Sequence, residues 1–205
     1  MNRTDAERIK ERFSTVYITI VSIFLGLAME DLYSKFASIE NPDFYSYVIL
    51  LLVSLLVINL WIAYSNIAIS VRLIPNPMDA FMVFGSIMGL YLLNFMIFRS
   101  AYEFFYIHGA FNLGAALATV YHIRRALTDE HVDFDPHIFR PVYGLNIAIF
   151  AISICVGVVL QFNLFGKAFE TFLAGLVLLC PIAWLWVFWA KFKRAFPAFN
   201  QHRLL

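Results

Sequence analysis

Long apolar runs separated by short polar segments occupy most of this chain. Crossing the hydrocarbon core of a bilayer takes about 20 apolar helical residues, and the sequence contains six runs of that length. The runs cover residues 13–34, 45–71, 78–98, 102–123, 142–163 and 168–190. Only Arg99, Ser100 and Ala101 separate the third run from the fourth, which indicates a tight helical hairpin. The pattern predicts an all-α, polytopic membrane protein in which residues 1–205 form a single six-helix transmembrane domain.

Composition and net charge support the same class. Hydrophobic residues make up 61% of the 205 residues, whereas a soluble domain contains roughly 45–50%. The formal net charge of +1 indicates neither an acidic nor a basic partner, and we expect no nucleic acid. The first apolar run follows a mixed-charge segment and is too long for a cleaved leader, so we expect none. The lipid bilayer is therefore the expected environment of the chain.

The distribution of Lys and Arg predicts which ends of the helices face the cytoplasm, because positive residues are retained on that side. One side of the six predicted spans carries twelve such residues: Arg3, Arg8, Lys10, Arg12, Arg72, Arg124, Arg125, Arg140, Lys191, Lys193, Arg194 and Arg203. The other side carries only Lys35, Arg99 and Lys167. This asymmetry predicts that both termini are cytoplasmic, and the even number of spans agrees with this because it places both termini on the same side.

Two stripes run along the first predicted helix. Small and hydroxyl-bearing residues recur at helical spacing and form the first stripe, which consists of Thr15, Thr19, Ser22 and Gly26. An aliphatic stripe lies beside it and consists of Val16, Ile20, Ile23 and Leu27. Glu30 and Asp31 follow at the far end of the span. A polar line within an apolar span either faces a permeating species or is a close-packing face, and the sequence leaves both interpretations open.

Polar residues in the other predicted spans favour internal packing. Asn59 and Asn66 lie seven residues apart on one face of the second span, and amides in lipid need partners, so we expect this face to point inward. His108, in the fourth span, is interpreted as a hydrogen-bonded packing residue. A bis-histidine haem site would need a partner ligand from another helix, but the other five spans contain no histidine. No cofactor is expected.

The loop between the fourth and fifth predicted spans contains alternating candidate metal ligands. An extended backbone would place His131, Asp133, Asp135 and His137 on one side, as a weak metal site requires. Nothing in the sequence fixes that backbone. We therefore interpret the segment as a solvated linker and predict no metal site.

Other function classes lack their sequence signatures. The chain has no Gly-x-Ser-x-Gly motif and no nucleophile and base at a common depth, so we do not expect an enzyme. A pair of Gly/Pro-interrupted spans, a recognisable inverted repeat and an ion pair within the spans are also not expected, and these features are typical of secondary transporters. The leading interpretation is a channel, the alternative is a non-catalytic multi-span membrane scaffold or effector that acts with a partner protein, and a transporter ranks third.

Phe13-Ser14 and the segment LLVSLLVINLWIAYSN carry a resemblance to a known family. Phe13-Ser14 matches part of an Arg-x-x-x-Phe-Ser-Asp motif that opens the first helix of the endosomal and lysosomal potassium channels and their prokaryotic six-helix relatives. The segment is similar to the second helix of that family. Two positions depart from the motif, since Thr15 replaces its Asp and Ile9 replaces its Arg. The resemblance covers roughly the first seventy residues.

The resemblance implies a cation channel, with potassium as the expected ion, in the inner (plasma) membrane of a prokaryote. It implies a homo-oligomer, a tetramer in single-unit members, with the first helices around the pore. Transfer from Phe13 places a hydrophobic constriction at Ile20. The implied pore-lining and gate residues are Thr15, Val16, Thr19, Ile20, Ser22, Ile23, Phe24 and Leu27. Glu30 and Asp31 would form an acidic mouth that favours monovalent cations.

Overall fold

The computed structural model describes residues 3–70, 77–97, 100–128, 136–162 and 166–195, and all regular secondary structure in these ranges is helical. Its helices are α1 (Arg3–Ala37), α2 (Phe44–Ser70), α3 (Pro77–Met96), α4 (Ala101–Thr128), α5 (Arg140–Gln161) and α6 (Lys167–Ala195). A 3-10 turn, Pro136–Phe139, leads directly into α5. The predicted all-α fold is confirmed, and each of the six apolar runs corresponds to one α-helix.

Local sequence signals explain several of the helix ends. Asp43 caps α2, because its Oδ1 accepts hydrogen bonds from the backbone N–H of Ser46 at 2.9 Å and from the Ser46 hydroxyl at 2.7 Å. Pro77 is the first residue of α3, where the missing N–H of proline costs nothing. Helix α3 ends at Met96, α4 begins at Ala101, and the two helices pack against each other, so the predicted α3–α4 hairpin is confirmed.

The six helices form a closed ring, in which α1 runs antiparallel to α2 and parallel to α3. In order around the ring, the packed pairs are α1–α2, α2–α6, α6–α5, α5–α4, α4–α3 and α3–α1. Side-chain contacts fix the directions, since Tyr17 near the start of α1 packs on Tyr64 near the end of α2. At the opposite end of the bundle, Phe36 of α1 packs on Tyr47 of α2. Helix α4 therefore lies between α3 and α5, on the side of the ring away from α1 and α2.

The hydrophobic core fills the middle of the ring. Phe104 and Phe105 of α4 are fully buried, as is Leu52 of α2. The seam between α4 and α5 is the most extensive helix contact, and glycine permits its close approach. A Cβ added to Gly157 of α5 would lie 2.8 Å from the Tyr106 ring of α4. Helix α4 consequently makes a more extensive contact with α5 than with any other helix.

Within the described residues, five helices are long and apolar enough to cross a membrane. Their candidate spans are Thr15–Ala37, Phe44–Ser65, Pro77–Met96, His137–Gln161 and Thr171–Arg194. The chain therefore has the character of a multi-pass integral membrane protein. The predicted span 102–123 is helical but is not among the five, because α4 carries Glu103, His108, Asn112 and two arginines. The sixth crossing and the cytoplasmic location of both termini stay predictions.

Candidate functional site

The two stripes of α1 lie on the outside of the protomer. Thr15, Thr19, Ser22 and Gly26 are all exposed. The aliphatic stripe is exposed as well, with accessible fractions of 54% for Val16, 40% for Ile20, 57% for Ile23 and 45% for Leu27. The structure thus brings the predicted pore-lining residues onto one continuous surface that the protomer itself does not cover.

The opposite face of α1 forms the contact with the rest of the bundle. It consists of Val21, Leu25, Ala28 and Leu32, each at most 3% exposed. This face packs against α2 and α3. Phe24 lies between the two faces, with its ring edge-to-face against Phe84 of α3 at a centroid distance of 5.6 Å. Phe24 therefore borders the exposed surface, whereas Ile20 and Ile23 are at its centre.

The hydroxyl groups of the stripe already have local partners. Thr19 Oγ1 donates to the carbonyl of Thr15 at 2.9 Å, and Ser22 Oγ accepts from the indole Nε1 of Trp61 at 3.1 Å. A hydroxyl oxygen that donates one hydrogen bond still has lone pairs with which to accept or coordinate. The outer surface of α1 can therefore present oxygen ligands without leaving a hydroxyl hydrogen of Thr19 unpaired.

The two residues of the predicted acidic mouth have different surroundings. Glu30 is exposed. Asp31 is part of an ion pair with Lys35 at 2.7 Å and also accepts a hydrogen bond from Asn94 Nδ2 of α3 at 3.2 Å. The same Asn94 nitrogen donates to the carbonyl of Ala28 at 2.8 Å. Asp31 thus joins α1 to α3 with its charge balanced, and Glu30 alone presents a carboxylate outward.

A second polar region lies inside the bundle along α4. His108 is fully buried, and its Nδ1 lies 2.8 Å from Ser153 Oγ of α5. Ser153 Oγ donates its hydrogen to the carbonyl of Ile149 at 2.8 Å, so it accepts from His108, and the imidazole proton is on Nδ1. Nε2 is then an acceptor, and Asn112 Nδ2 lies 3.3 Å from it. The prediction that His108 is a hydrogen-bonded packing residue is confirmed.

Asn59 connects α2 to the proline of α6. Its Nδ2 donates to the carbonyl of Pro181 at 2.9 Å, and the residue is 6% exposed. The prediction that Asn59 faces inward is confirmed, while the side chain of Asn66 lies outside the described residues. Pro181 is in the interior of α6, where its ring removes a backbone hydrogen bond and disturbs the helix. Asn59 therefore connects α2 to α6 at the position of the proline inside that helix.

A cavity of about 40 Å³ separates α2, α4, α5 and α6 at this level. Its polar lining residues are Asn59, His108, Asn112 and Asn146, and the apolar lining includes Cys180 and Trp184. Asn146 is 2% exposed. Sequence reasoning identified Asn59 and His108 separately but did not place them together, because residues from four helices meet here.

A buried ion pair joins α3 and α4 at the end of the bundle that carries the start of α1. Arg125 Nη1 donates to Asp79 Oδ2, and the side chains are 17% and 7% exposed. Tyr121 is close to the same carboxylate, with its hydroxyl 3.5 Å from Asp79 Oδ1. Asp79 is the second residue of the third predicted span and Arg125 lies two residues beyond the fourth, so the pair is at the end of the predicted spans. Both residues looked interfacial in the sequence, since each lies at the end of an apolar run.

Several predicted positions are outside this picture. Phe13 and Ser14 lie within α1, but their side chains are not among those described. His131, Asp133 and Asp135 lie outside the described residues, and His137 belongs to the 3-10 turn before α5. No group of three His, Cys, Asp or Glu side chains that could hold a metal occurs in the described part of the chain.

Comparisons of the chain with models of protein families, with curated proteins and with solved structures gave no match. The resemblance to potassium channels consequently rests on Phe13-Ser14 and the second helix.

Proposed function

We propose that the chain is one subunit of a homo-oligomeric channel for monovalent cations, with potassium as the expected ion. The observation that carries the proposal is the unpacked outer surface of α1, where the hydroxyl stripe and the aliphatic stripe are exposed side by side. In a ring of subunits, these surfaces would face a common axis. No enzymatic step is part of the proposal, and the ligand is the permeating ion.

The chemistry of the stripes suits the two tasks of a pore. A ring of aliphatic side chains excludes water from a narrow passage and so acts as a gate. Ile20 would form this constriction, with Ile23 one turn further along α1. Oxygens of Thr15, Thr19 and Ser22 would replace part of the hydration shell of a cation.

The acidic end of α1 supports selection for cations. A ring of carboxylates at the mouth of a pore attracts cations and repels anions. Glu30 is exposed, so one carboxylate per subunit is available for such a ring. Asp31 would act indirectly, because its ion pair with Lys35 and its bond to Asn94 fix the end of α1 against α3.

The arrangement in the membrane follows from the charge distribution. With twelve of the fifteen Lys and Arg residues on one side of the spans, both termini would be cytoplasmic, and α4 would be the sixth crossing. Its polar residues His108 and Asn112 are tolerable in this position because they form hydrogen bonds inside the bundle instead of facing lipid. The proposed location is the inner (plasma) membrane of a prokaryote.

Ion flux into liposomes, measured with purified protein, tests the proposal directly. Ile20→Asn should raise resting potassium flux, because an amide wets an apolar constriction and removes the barrier. Ile152→Asn on α5 is the matched control, since Ile152 is 46% exposed and Ile20 is 40% exposed. The control places the same amide on an outer helix face and should leave flux at the wild-type level.

The outcomes separate the alternatives. Flux that rises equally in both variants would indicate a leak caused by damage to the fold. Equal flux through the wild type and the Ile20→Asn variant would contradict the assignment of the pore to α1. No cation flux from any folded, oligomeric sample would contradict the channel itself and favour a scaffold or effector that acts with a partner protein.

A further inference from the structure

The orientation of Asn59 leaves a hydrogen-bond acceptor inside the bundle. Its amide nitrogen is fixed by the bond to the Pro181 carbonyl, and a flipped amide would place two carbonyl oxygens together. Oδ1 is therefore turned the other way, where it is buried and has no partner among the described residues. A buried carbonyl without a hydrogen bond is costly, and the cost is greater in a membrane protein.

The amide nitrogen of Asn112 on α4 is also held by a hydrogen bond. Its Nδ2 donates to the carbonyl of His108 at 2.8 Å and lies near His108 Nε2. These contacts fix the amide orientation, so the carbonyl oxygen of Asn112 makes neither of these bonds. His108 adds no donor to the cavity, because its only imidazole hydrogen is directed to Ser153. Two amide oxygens, from Asn59 and Asn112, thus belong to residues that line one cavity.

Charge and size restrict what can bind there. None of the residues that line the cavity is charged, so a bound ion would lack a counter-charge in a region of low dielectric. The volume is about 40 Å³, and a water molecule requires roughly 10–15 Å³ of such space. A water also needs two to four polar partners, which the amides of Asn59, Asn112 and Asn146 can supply.

We propose that this cavity between α2, α4, α5 and α6 is a binding site for a small uncharged molecule that donates hydrogen bonds, with water as its resident ligand. The ligand donates to the amide oxygens of Asn59 and Asn112 and so connects two helices that lie across the ring from each other. The site is separate from the outer surface of α1 and does not depend on ion conduction.

X-ray radiolysis in H₂¹⁸O tests the proposal. Hydroxyl radicals formed from a bound water molecule oxidise the side chains beside it. The protein is held in lipid nanodiscs, and ¹⁸O incorporation is measured by mass spectrometry. Trp184 lines the cavity. Trp186 is the matched control, since it is on the same helix and 75% exposed on its outer face. The expected result is more ¹⁸O at Trp184 than at the more exposed Trp186.

Two variants establish where the oxidising water lies. Asn59→Leu removes an acceptor, and Ala115→Leu fills the cavity without removing a hydrogen bond to a side chain. Both should lower ¹⁸O incorporation at Trp184 several-fold and leave Trp186 unchanged. Labelling of Trp184 that stays below that of Trp186 in the wild type, or that persists in both variants, would overturn the proposal.

Addition of formamide distinguishes the possible ligands. Formamide is uncharged at neutral pH and donates two N–H hydrogens from one small molecule. Protection of Trp184 by formamide would assign the site to small neutral donors in general, and undiminished labelling would assign it to water. Because labelling is read without any flux measurement, failure of the channel proposal and failure of this one are recorded independently.

Discussion

The outer surface of α1 and the buried seam of α4 contain the same kind of sequence pattern, polar residues spaced along an apolar helix, but use it differently. On α4, His108 bonds to Ser153 of another helix. On α1, Thr19 bonds within its own helix and remains exposed. The buried seam therefore determines the fold of the protomer, and the exposed stripe is available for an interaction outside it.

Hydropathy alone therefore does not reveal the role of a polar residue in a membrane helix. A helix rich in polar residues, α4, lies in the most extensive contact of the bundle. The more apolar outer surface of α1 is exposed and contacts the rest of the protomer at its edge, through the hydrogen bond from Trp61 to Ser22. The distinction between the two regions lies in where their polar side chains find hydrogen-bond partners, and not in how polar they are. Those of the structural region on α4 bond to another helix, whereas Thr19 in the candidate functional region on α1 bonds within its own helix.

The largest expected effect is at the ion pair between α3 and α4. Arg125→Leu leaves Asp79 charged, 5% exposed and without its main counter-charge, which should lower the free energy of unfolding by about 3–5 kcal/mol. Denaturant titration in detergent micelles measures the change. Arg124→Leu is the control, because Arg124 is exposed on the same helix. Equal stability of the two variants would contradict a structural role for the pair.

Adding one methyl group should change stability by a smaller amount. The change should be a loss in the seam between α4 and α5 and a gain on the outer surface of α1. Gly157→Ala places Cβ 2.8 Å from the Tyr106 ring, and overpacking of this kind costs about 1–3 kcal/mol. Gly26→Ala on α1 meets no atom within 4 Å and should stabilise the helix by about 0.5–1 kcal/mol. Thermal unfolding in detergent compares them. A loss of stability at Gly26 would show that this surface is tightly packed in the assembly.

Removal of one hydroxyl tests the hydrogen-bond chain of the seam. Ser153→Ala deprives His108 Nδ1–H of its acceptor in a fully buried site, so the free energy of unfolding should fall by about 1–3 kcal/mol. Ser153→Thr retains the hydroxyl and serves as the control. Nitrogen NMR of labelled histidine should also show a changed tautomer population in the alanine variant. An unchanged spectrum would contradict the tautomer assigned here.

The smallest effect on stability is expected on α1. Thr19→Val removes only a hydroxyl that bonds within its own helix, so stability should stay within about 0.5 kcal/mol of the wild type. Potassium flux should nevertheless fall, because an oxygen ligand of the proposed pore is lost. Thr119→Val is the control, since Thr119 makes the same bond to the residue four positions before it, at 2.8 Å, on α4. Equal flux in both variants would argue against the hydroxyl stripe.

Local patterns in the sequence were sufficient to predict the helices and some of the residues in the buried and the exposed regions. Periodicity and length predicted the helices, and the requirement that amides find partners placed Asn59 inside. The Asp31–Lys35 pair also follows a local rule, since oppositely charged residues four apart meet on one helix face.

Contacts between distant segments were not predictable in the same way. Asn59 and the Pro181 carbonyl are 122 residues apart, and Asp79 and Arg125 are 46 apart. No periodicity encodes such pairs, because they depend on the order of helices around the ring. A clue for the second pair did exist, since a hairpin brings the start of α3 next to the end of α4.

The composition of α4 also has a consequence for how the protein enters the bilayer. A helix with Glu103, His108, Asn112 and two arginines is a poor substrate for insertion on its own, since charged residues resist transfer into hydrocarbon. Helix α3 is apolar and is joined to α4 by a connection of only four residues, 97–100. If α4 is the sixth crossing, as proposed, insertion of both helices as one hairpin would let Asp79 meet Arg125 before either is exposed to lipid. The order of synthesis thus places the apolar helix first and gives the polar helix a partner as it leaves the ribosome.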